Sequence, residues 1–396
     1  MQRKHMPIWF LGFLSAYSLF TFDVYQPALP MITKAFSSTH AVGQLTLNIY
    51  LFFFGVSQLL WGPLIDNYGR RKLLPVSLMV AIIAALVCVV AKSMTVLIVG
   101  RALQGVAICC SGMIAQAASR DYDDDKERAK VLSFISMVVA ASPVFAPSVG
   151  ALMLQYFDWQ ANFVLMAVLG CILLSLCFYL LRESPHFHVS KVSFSGWTVI
   201  KNYQEILRHR YLLLGSCIVA LAFSAVMISI VNASYLLIDG LHYTPKQFAL
   251  IFALNGFNIV LSNAIGIRLR EYFSMHWNII AGLVVMAVGG ILVGIIYYCF
   301  GFNVWMLSPV LLVNIGVGIV LPPTISLVLA SYDTLTASAV AMMNTIRVGI
   351  AAIISGVVSV LLAGHIMALS YSILACAISG LVLAYFFISA GVLPSK

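Results

Sequence analysis

"GPLIDNYGRRK", residues 62–72, sets four charges, Asp66, Arg70, Arg71 and Lys72, in one short break between two long apolar runs. The flanking runs, 42–65 and 73–91, are continuous rather than alternating, and at about 20 residues each can cross a bilayer as helices. Gly62 and Gly69 supply small positions for close packing and a tight turn. Asp66 and Arg70 are spaced for charge contacts between helices. The stretch reads as a charged turn joining two membrane helices at one surface of the bilayer.

The same alternation of apolar run and polar break fills the chain. Of 396 residues, 62% are hydrophobic and 9% charged, where soluble domains hold about 45–50% and 25%. The apolar windows number twelve: 7–30, 42–65, 73–91, 94–118, 129–155, 159–181, 211–237, 245–267, 278–300, 303–331, 336–363 and 366–392. The fold class expected is an all-α integral membrane protein with twelve transmembrane helices. The basic start Met1-Gln2-Arg3-Lys4-His5 precedes a run too long for a signal peptide, so the run is expected to stay as the first span. The eight cysteines lie in or beside apolar spans without paired spacing, which predicts neither a disulfide framework nor a metal site.

Orientation follows from the 22 lysines and arginines. Only Arg101 and Arg347 fall inside spans, and only Lys34, Lys92 and Lys246 on one set of ends. The other seventeen share the opposite set, which predicts cytoplasmic termini and a multi-pass topology. The net charge of +9 is therefore topological, and no nucleic-acid partner is expected. The longest polar break divides the chain into an N-terminal six-helix bundle (1–181), a cytoplasmic linker (182–210) and a C-terminal six-helix bundle (211–396). Within it, "KVSFSGWTVIKNYQEILRHR" has the pattern of an amphipathic surface helix. Two six-helix halves are the plan of rocking-bundle transporters. His186-Phe187-His188 and Asp123-Asp124-Asp125 read as solvated loop rather than metal sites. Phosphate-loop, nucleophile-elbow and zinc-protease motifs are absent, so no enzyme is expected.

Charges inside spans are expensive, about 2.5–3.5 kcal/mol on insertion scales. Asp23 is the one carboxylate well inside a predicted span. It lies seven residues from the outer end of its helix at Pro30, and Arg101 lies seven from Met94, so both sit about 10 Å deep. The two form either a functional pair, direct or water-bridged, or a structural ion pair; Arg101 is alternatively snorkelling. Arg347, near mid-bilayer, either satisfies backbone carbonyls or meets an anionic part of a substrate, or balances Asp23. Tyr17, Phe20, Tyr50, Phe53, Gln104, Asn232, Tyr235, Asn255 and Asn258 bring aromatic and amide groups to helices 1, 2, 4, 7 and 8. Each is readable as packing or as ligand contact.

Several of these segments resemble a known family. Residues 62–72 resemble the signature loop of the major facilitator superfamily, and "IVGRALQGVA" (98–107) resembles its R-x-x-Q-G motif. "SPVFAPSVGA" (142–151) is similar to the antiporter signature, with Pro147 and Gly150 matching and Pro143 a second helix-bending proline. "FDVYQPALPMI" (22–32), "RESPHF" (182–187) and "YQEILRHRYLL" (203–213) look like the twelve-helix drug:proton antiporters of the bicyclomycin-resistance (Bcr/CflA) type. The resemblance implies two pseudo-symmetric six-helix bundles and a monomer in the bacterial inner membrane. It implies proton-coupled export of small amphipathic molecules or drugs by alternating access, with no cofactor beyond the proton. Asp23 would carry that proton beside Arg101. Asp66 would meet the start of helix 11, Arg70 would meet Asp121, and helices 1, 2, 4, 7 and 8 would line the substrate cavity. The readings kept open beside it are a physiological exporter of a polar or carboxylate metabolite, a proton-coupled importer, and a non-transporting scaffold.

Overall fold

Helix boundaries in the chain follow its capping residues and prolines. The structure, a computed structural model, describes residues 5–122, 124–184, 196–330, 336–362 and 365–391. Among the described residues every regular element is helical. The first half comprises α1 (Ile8–Asp23), α2 (Leu29–Ala35), α3 (His40–Tyr68), α4 (Arg70–Val89), α5 (Met94–Ala118), α6 (Asp125–Met153) and α7 (Gln160–Leu180). The second comprises α8 (Gly196–Arg208), α9 (Arg210–Ser234), α10 (Pro245–Tyr272), α11 (Met275–Phe300), α12 (Val310–Leu329), α13 (Thr336–Leu362) and α14 (Ala368–Gly391). Thr39, Ser93 and Ser274 cap α3, α5 and α11 by accepting a backbone N–H from three residues on, the usual way a helix start is satisfied.

Among the described residues twelve helices are long and apolar enough to cross a membrane, from Ile8–Ala35 to Ala368–Ser389. The first span is broken. α1 stops at Asp23, a short 3-10 turn runs Gln26–Ala28, and α2 resumes at Leu29. Pro27 and Pro30 stand in the first turns of the two segments that follow the break, where their missing N–H costs no helical hydrogen bond. The seventh span closes in a π turn, Tyr235–Gly240, so it reaches three residues beyond its expected end at 237 and takes in Asp239.

The chain forms two compact units, Met1–Gly196 with Thr244–Gly256, and Trp197–Tyr243 with Phe257–Lys396. In the first, α5 packs along α3 and α4, α4 along α7, and α1 along α6 and α5. In the second, α11 packs along α12 and α14, and α9 along α13, α14 and α12. Side chains such as Leu60, Ile83, Phe145, Phe178 and Ile295 are exposed on the outside, as a bundle solvated by lipid requires. The α11–α12 crossing is glycine on glycine. A Cβ at Gly316 would lie 2.5 Å from the carbonyl oxygen of Gly282, the close approach by which membrane helices gain packing contact. The surface helix expected in the linker is α8; His186, Phe187, His188 and Asp123 lie outside the described residues.

Candidate functional site

The broken end of the first span holds a buried polar cluster. Because α1 ends at Asp23, its last carbonyls lack intrahelical partners. Arg101 fills one vacancy, donating from Nη1 to the Thr21 carbonyl (3.2 Å) and to Gln104 Oε1 (2.8 Å). A cation suits the negative end of a helix dipole. The guanidinium lies between two rings, 4.3 Å from the centroid of Tyr50 and 4.8 Å from that of Tyr25, a cation–π cage that offsets part of its desolvation. The rings are themselves tied down. Tyr50 donates to the Ser18 carbonyl (2.8 Å), and the Tyr25 hydroxyl is 2.8 Å from Thr46 Oγ1. Arg101 is fully buried, yet its Nε and Nη2 have no partner among the described residues.

Asp23 is also buried, 4% exposed, and its Oδ1 accepts from Nε2 of Gln26 at 3.0 Å. Gln26 is wholly enclosed, and its Oε1 has no partner. Among the described residues Asp23 and Arg101 form no direct ion pair, which corrects that part of the sequence expectation. Matching depth fixes height along the helices but not the direction around them. Asp23 turns to the amide three residues on, while Arg101 turns to the carbonyl of Thr21. The R-x-x-Q-G motif resolves into three jobs: Arg101 is the cation, Gln104 its acceptor, and Gly105 the seat. A Cβ on Gly105 would stand 2.4 Å from the Tyr50 carbonyl oxygen, so only glycine lets α5 lie against α3 there.

Gly150 does the same for α6. Its missing side chain faces the backbone just after Asp23, where an added Cβ would come within 2.0 Å of the Val24 carbonyl oxygen. α6 runs through Pro143 and Pro147 without interruption. Gly150→Ala is expected to push α6 off the α1 break and destabilise the protein by about 3 kcal/mol, the upper range for overpacking. A thermal melt of purified protein in detergent measures it.

The charged turn between α3 and α4 is an ion-paired knot. Gly69, with φ +80°, closes α3 and opens α4 in a conformation that a side chain would strain. Arg70 is buried and its Nη2 lies 2.5 Å from Asp121 Oδ2, as expected; its Nε donates to the Arg182 carbonyl. Ser184 donates to the other oxygen of Asp121 at 2.8 Å. Glu183, not singled out from the sequence, accepts the backbone N–H groups of Arg70 and Arg71, each at 3.1 Å, and so caps the positive end of α4. The signal was in "RESP" (182–185), which directly follows the sixth apolar window. Gly62 departs from expectation: an added Cβ would meet only the terminal methyl of Met113, at 3.6 Å. Asp66 is exposed, and its expected partner segment adjoins residues 331–335, outside the described residues.

Of the expected cavity residues, Tyr17, Tyr50 and Gln104 are interior parts of the first unit. Tyr17 donates to the Met166 carbonyl at 2.9 Å, and Gln104 faces Arg101 and the Met166 sulfur. Their polar atoms are used within the bundle, because α1, α3, α5 and α7 pack tightly enough to enclose them. Phe20 and Phe53 are half-buried. In the second unit Asn232 donates to the Ile228 carbonyl at 2.7 Å, and Tyr235 begins the π turn, buried. Asn255 and Asn258 are half-buried. Arg347, also half-buried, stacks its guanidinium 5.0 Å from the Phe223 ring centroid.

Residues 8–356 match the sequence profile of the Major Facilitator Superfamily. The chain belongs to that superfamily. The multidrug resistance protein MdtL of Shewanella sp. (strain ANA-3) is 33% identical over 218 residues, 55% of this chain and 54% of that one. That match spans about half the length of the relative. MdtL of Shigella dysenteriae serotype 1 (strain Sd197) is 28% identical over 294 residues, 71% of this chain and 74% of its own length. A crystal structure of a D-xylose-proton symporter superposes with a TM-score of 0.74 at 14% identity over 96% of both chains, a likeness of fold. Major facilitator membership accords with the twelve spans and with the Arg70–Asp121 knot.

Proposed function

We propose that the protein is a proton-coupled exporter of small amphipathic molecules, drugs among them, that works by alternating access in a bacterial inner membrane with both termini cytoplasmic. The observation that carries the reading is Asp23, a buried carboxylate at a helix break within the first span, held by the enclosed amide of Gln26. Such a carboxylate is costly in a membrane and reads as functional by default. Resemblance to the MdtL proteins, named for multidrug resistance, supports export of drugs as the direction and cargo.

The chemistry at Asp23 suits a proton carrier. The ionised carboxylate accepts from Gln26 Nε2. The neutral carboxyl has a proton to give, and Gln26 Oε1, buried and unpartnered, accepts it once the amide turns over. The same side chain thus satisfies both charge states. Arg101, caged nearby, keeps its two unused donors for an ionised group when the bundle rearranges. A unit of pH is worth about 1.36 kcal/mol per proton and 100 mV about 2.3 kcal/mol per charge. One inward proton therefore supports about a 500-fold gradient of a neutral substrate.

Direction is tested in energised inverted vesicles carrying the protein. A fluorescent amphipathic drug such as norfloxacin, which carries a carboxyl group, is expected to accumulate inside and to leak out on adding a protonophore. Accumulation only in right-side-out vesicles would make the protein an importer.

A further inference from the structure

Arg347 is the second arginine in the membrane and has no role in the cluster around Asp23. Within its candidate span, Ser338–Leu362, it stands nine residues from one end and fifteen from the other, about 14 Å and 22 Å at 1.5 Å per residue. Neither membrane surface is within reach of snorkelling from that depth. The residue as a whole is half-buried, its guanidinium lies 5.0 Å from the ring centroid of Phe223 on α9, and among the described residues its Nε is enclosed without a partner. Among the described residues it makes no ion pair and no hydrogen bond to the protein.

The acids of the second unit do not balance it. Glu205 lies on α8, Asp239 in the π turn that ends the seventh span, and Glu271 near the end of α10, 3.6 Å from Arg268. Asp333 lies outside the described residues. None of the three described acids stands mid-span, so among the described residues the unit holds a mid-membrane cation without an anion at its depth. The accessible part of Arg347 at that depth belongs to the bundle interior or a water-filled cavity rather than to acyl chains, as charged groups inside a membrane do. With Phe223 beside it, the guanidinium presents paired N–H donors in the fork that a carboxylate fits.

From this we infer that Arg347, backed by Phe223, is a recognition point for an anionic, carboxylate-bearing substrate. The inference rests on the transporter reading but not on proton coupling at Asp23. It narrows the cargo to molecules with at least one ionised carboxyl group, aromatic or aliphatic parts being free to vary. A lipid headgroup does not fit, since headgroups stay at the surfaces.

The test is equilibrium binding to purified protein in detergent at pH 7, with benzoate, succinate and citrate each set beside its amide. At least one carboxylate is expected to bind and raise the melting temperature, with its amide at least 10-fold weaker. Arg347→Gln is expected to lose the preference, and Arg347→Lys, which keeps the charge but not the fork, to weaken it without abolishing it. Failure of all three carboxylates to bind, equal binding of acid and amide, or an unchanged preference in Arg347→Gln would each overturn the inference. Should Arg347→Gln not fold, Phe223→Leu in the wild-type charge background takes its place, with a weakened preference expected and an unchanged one counting against the site. Proton coupling is read separately by transport in Asp23→Asn, so its failure leaves a carboxylate preference at Arg347 standing.

Discussion

In the Asp23→Asn variant, uphill accumulation of substrate in energised inverted vesicles is expected to fall to the level of vesicles without the protein. Downhill exchange of labelled for unlabelled substrate is expected to continue. Asparagine has the size of aspartate and still offers an oxygen to Gln26 Nε2, so the bond that orients the side chain survives. Folding is therefore retained, and the variant differs from wild type in having no proton to bind. Loss of exchange together with accumulation would instead mark Asp23 as a structural residue of the α1 break.

The second large effect lies at the α3–α4 turn. Arg70→Ala is expected to destabilise the first unit by about 3–5 kcal/mol, since it leaves the Asp121 carboxylate buried without its partner. For a unit of this size that corresponds to a fall of about 10 °C in melting temperature. Arg70 also donates to the Arg182 carbonyl, so its removal loosens the segment that carries Glu183 and Ser184. The double variant Arg70→Ala/Asp121→Asn is expected to recover part of the loss, because the stranded charge goes with it. Additive single effects, measured by thermal melts of the four-member cycle, would mean that the pair is not coupled.

The twelve spans were legible because bilayer thickness sets run length, and charged breaks mark the ends. Ends drifted where the helix outlasts its apolar stretch. α10 continues through "RLREY" to Tyr272, since charged residues are good helix formers once clear of lipid. The Arg70–Asp121 pair was legible because the family resemblance implies an acid at the end of helix 4 as the partner of Arg70, and Asp121 stands there. Asp23 and Arg101 were legible as buried charges but not as separate ones, since sequence gives depth and not azimuth. The tyrosine cage shows the same limit. Tyr25 comes from the turn after α1 and Tyr50 from α3, and Arg101 lies against both because Gly105 lets α5 approach α3. Glu183 escaped notice for a related reason: its partners are backbone N–H groups, which no side-chain pattern records.

Proton movement itself is the most direct measure of the central proposal. Purified protein is reconstituted into liposomes enclosing the pH dye pyranine, with no initial gradient, and substrate is added outside. For wild type, substrate entering is expected to drive protons out, so the lumen turns alkaline in proportion to transport; Asp23→Asn is expected to give no pH change while still admitting substrate. An alkaline response of wild-type size from Asp23→Asn would contradict proton carriage by that carboxylate.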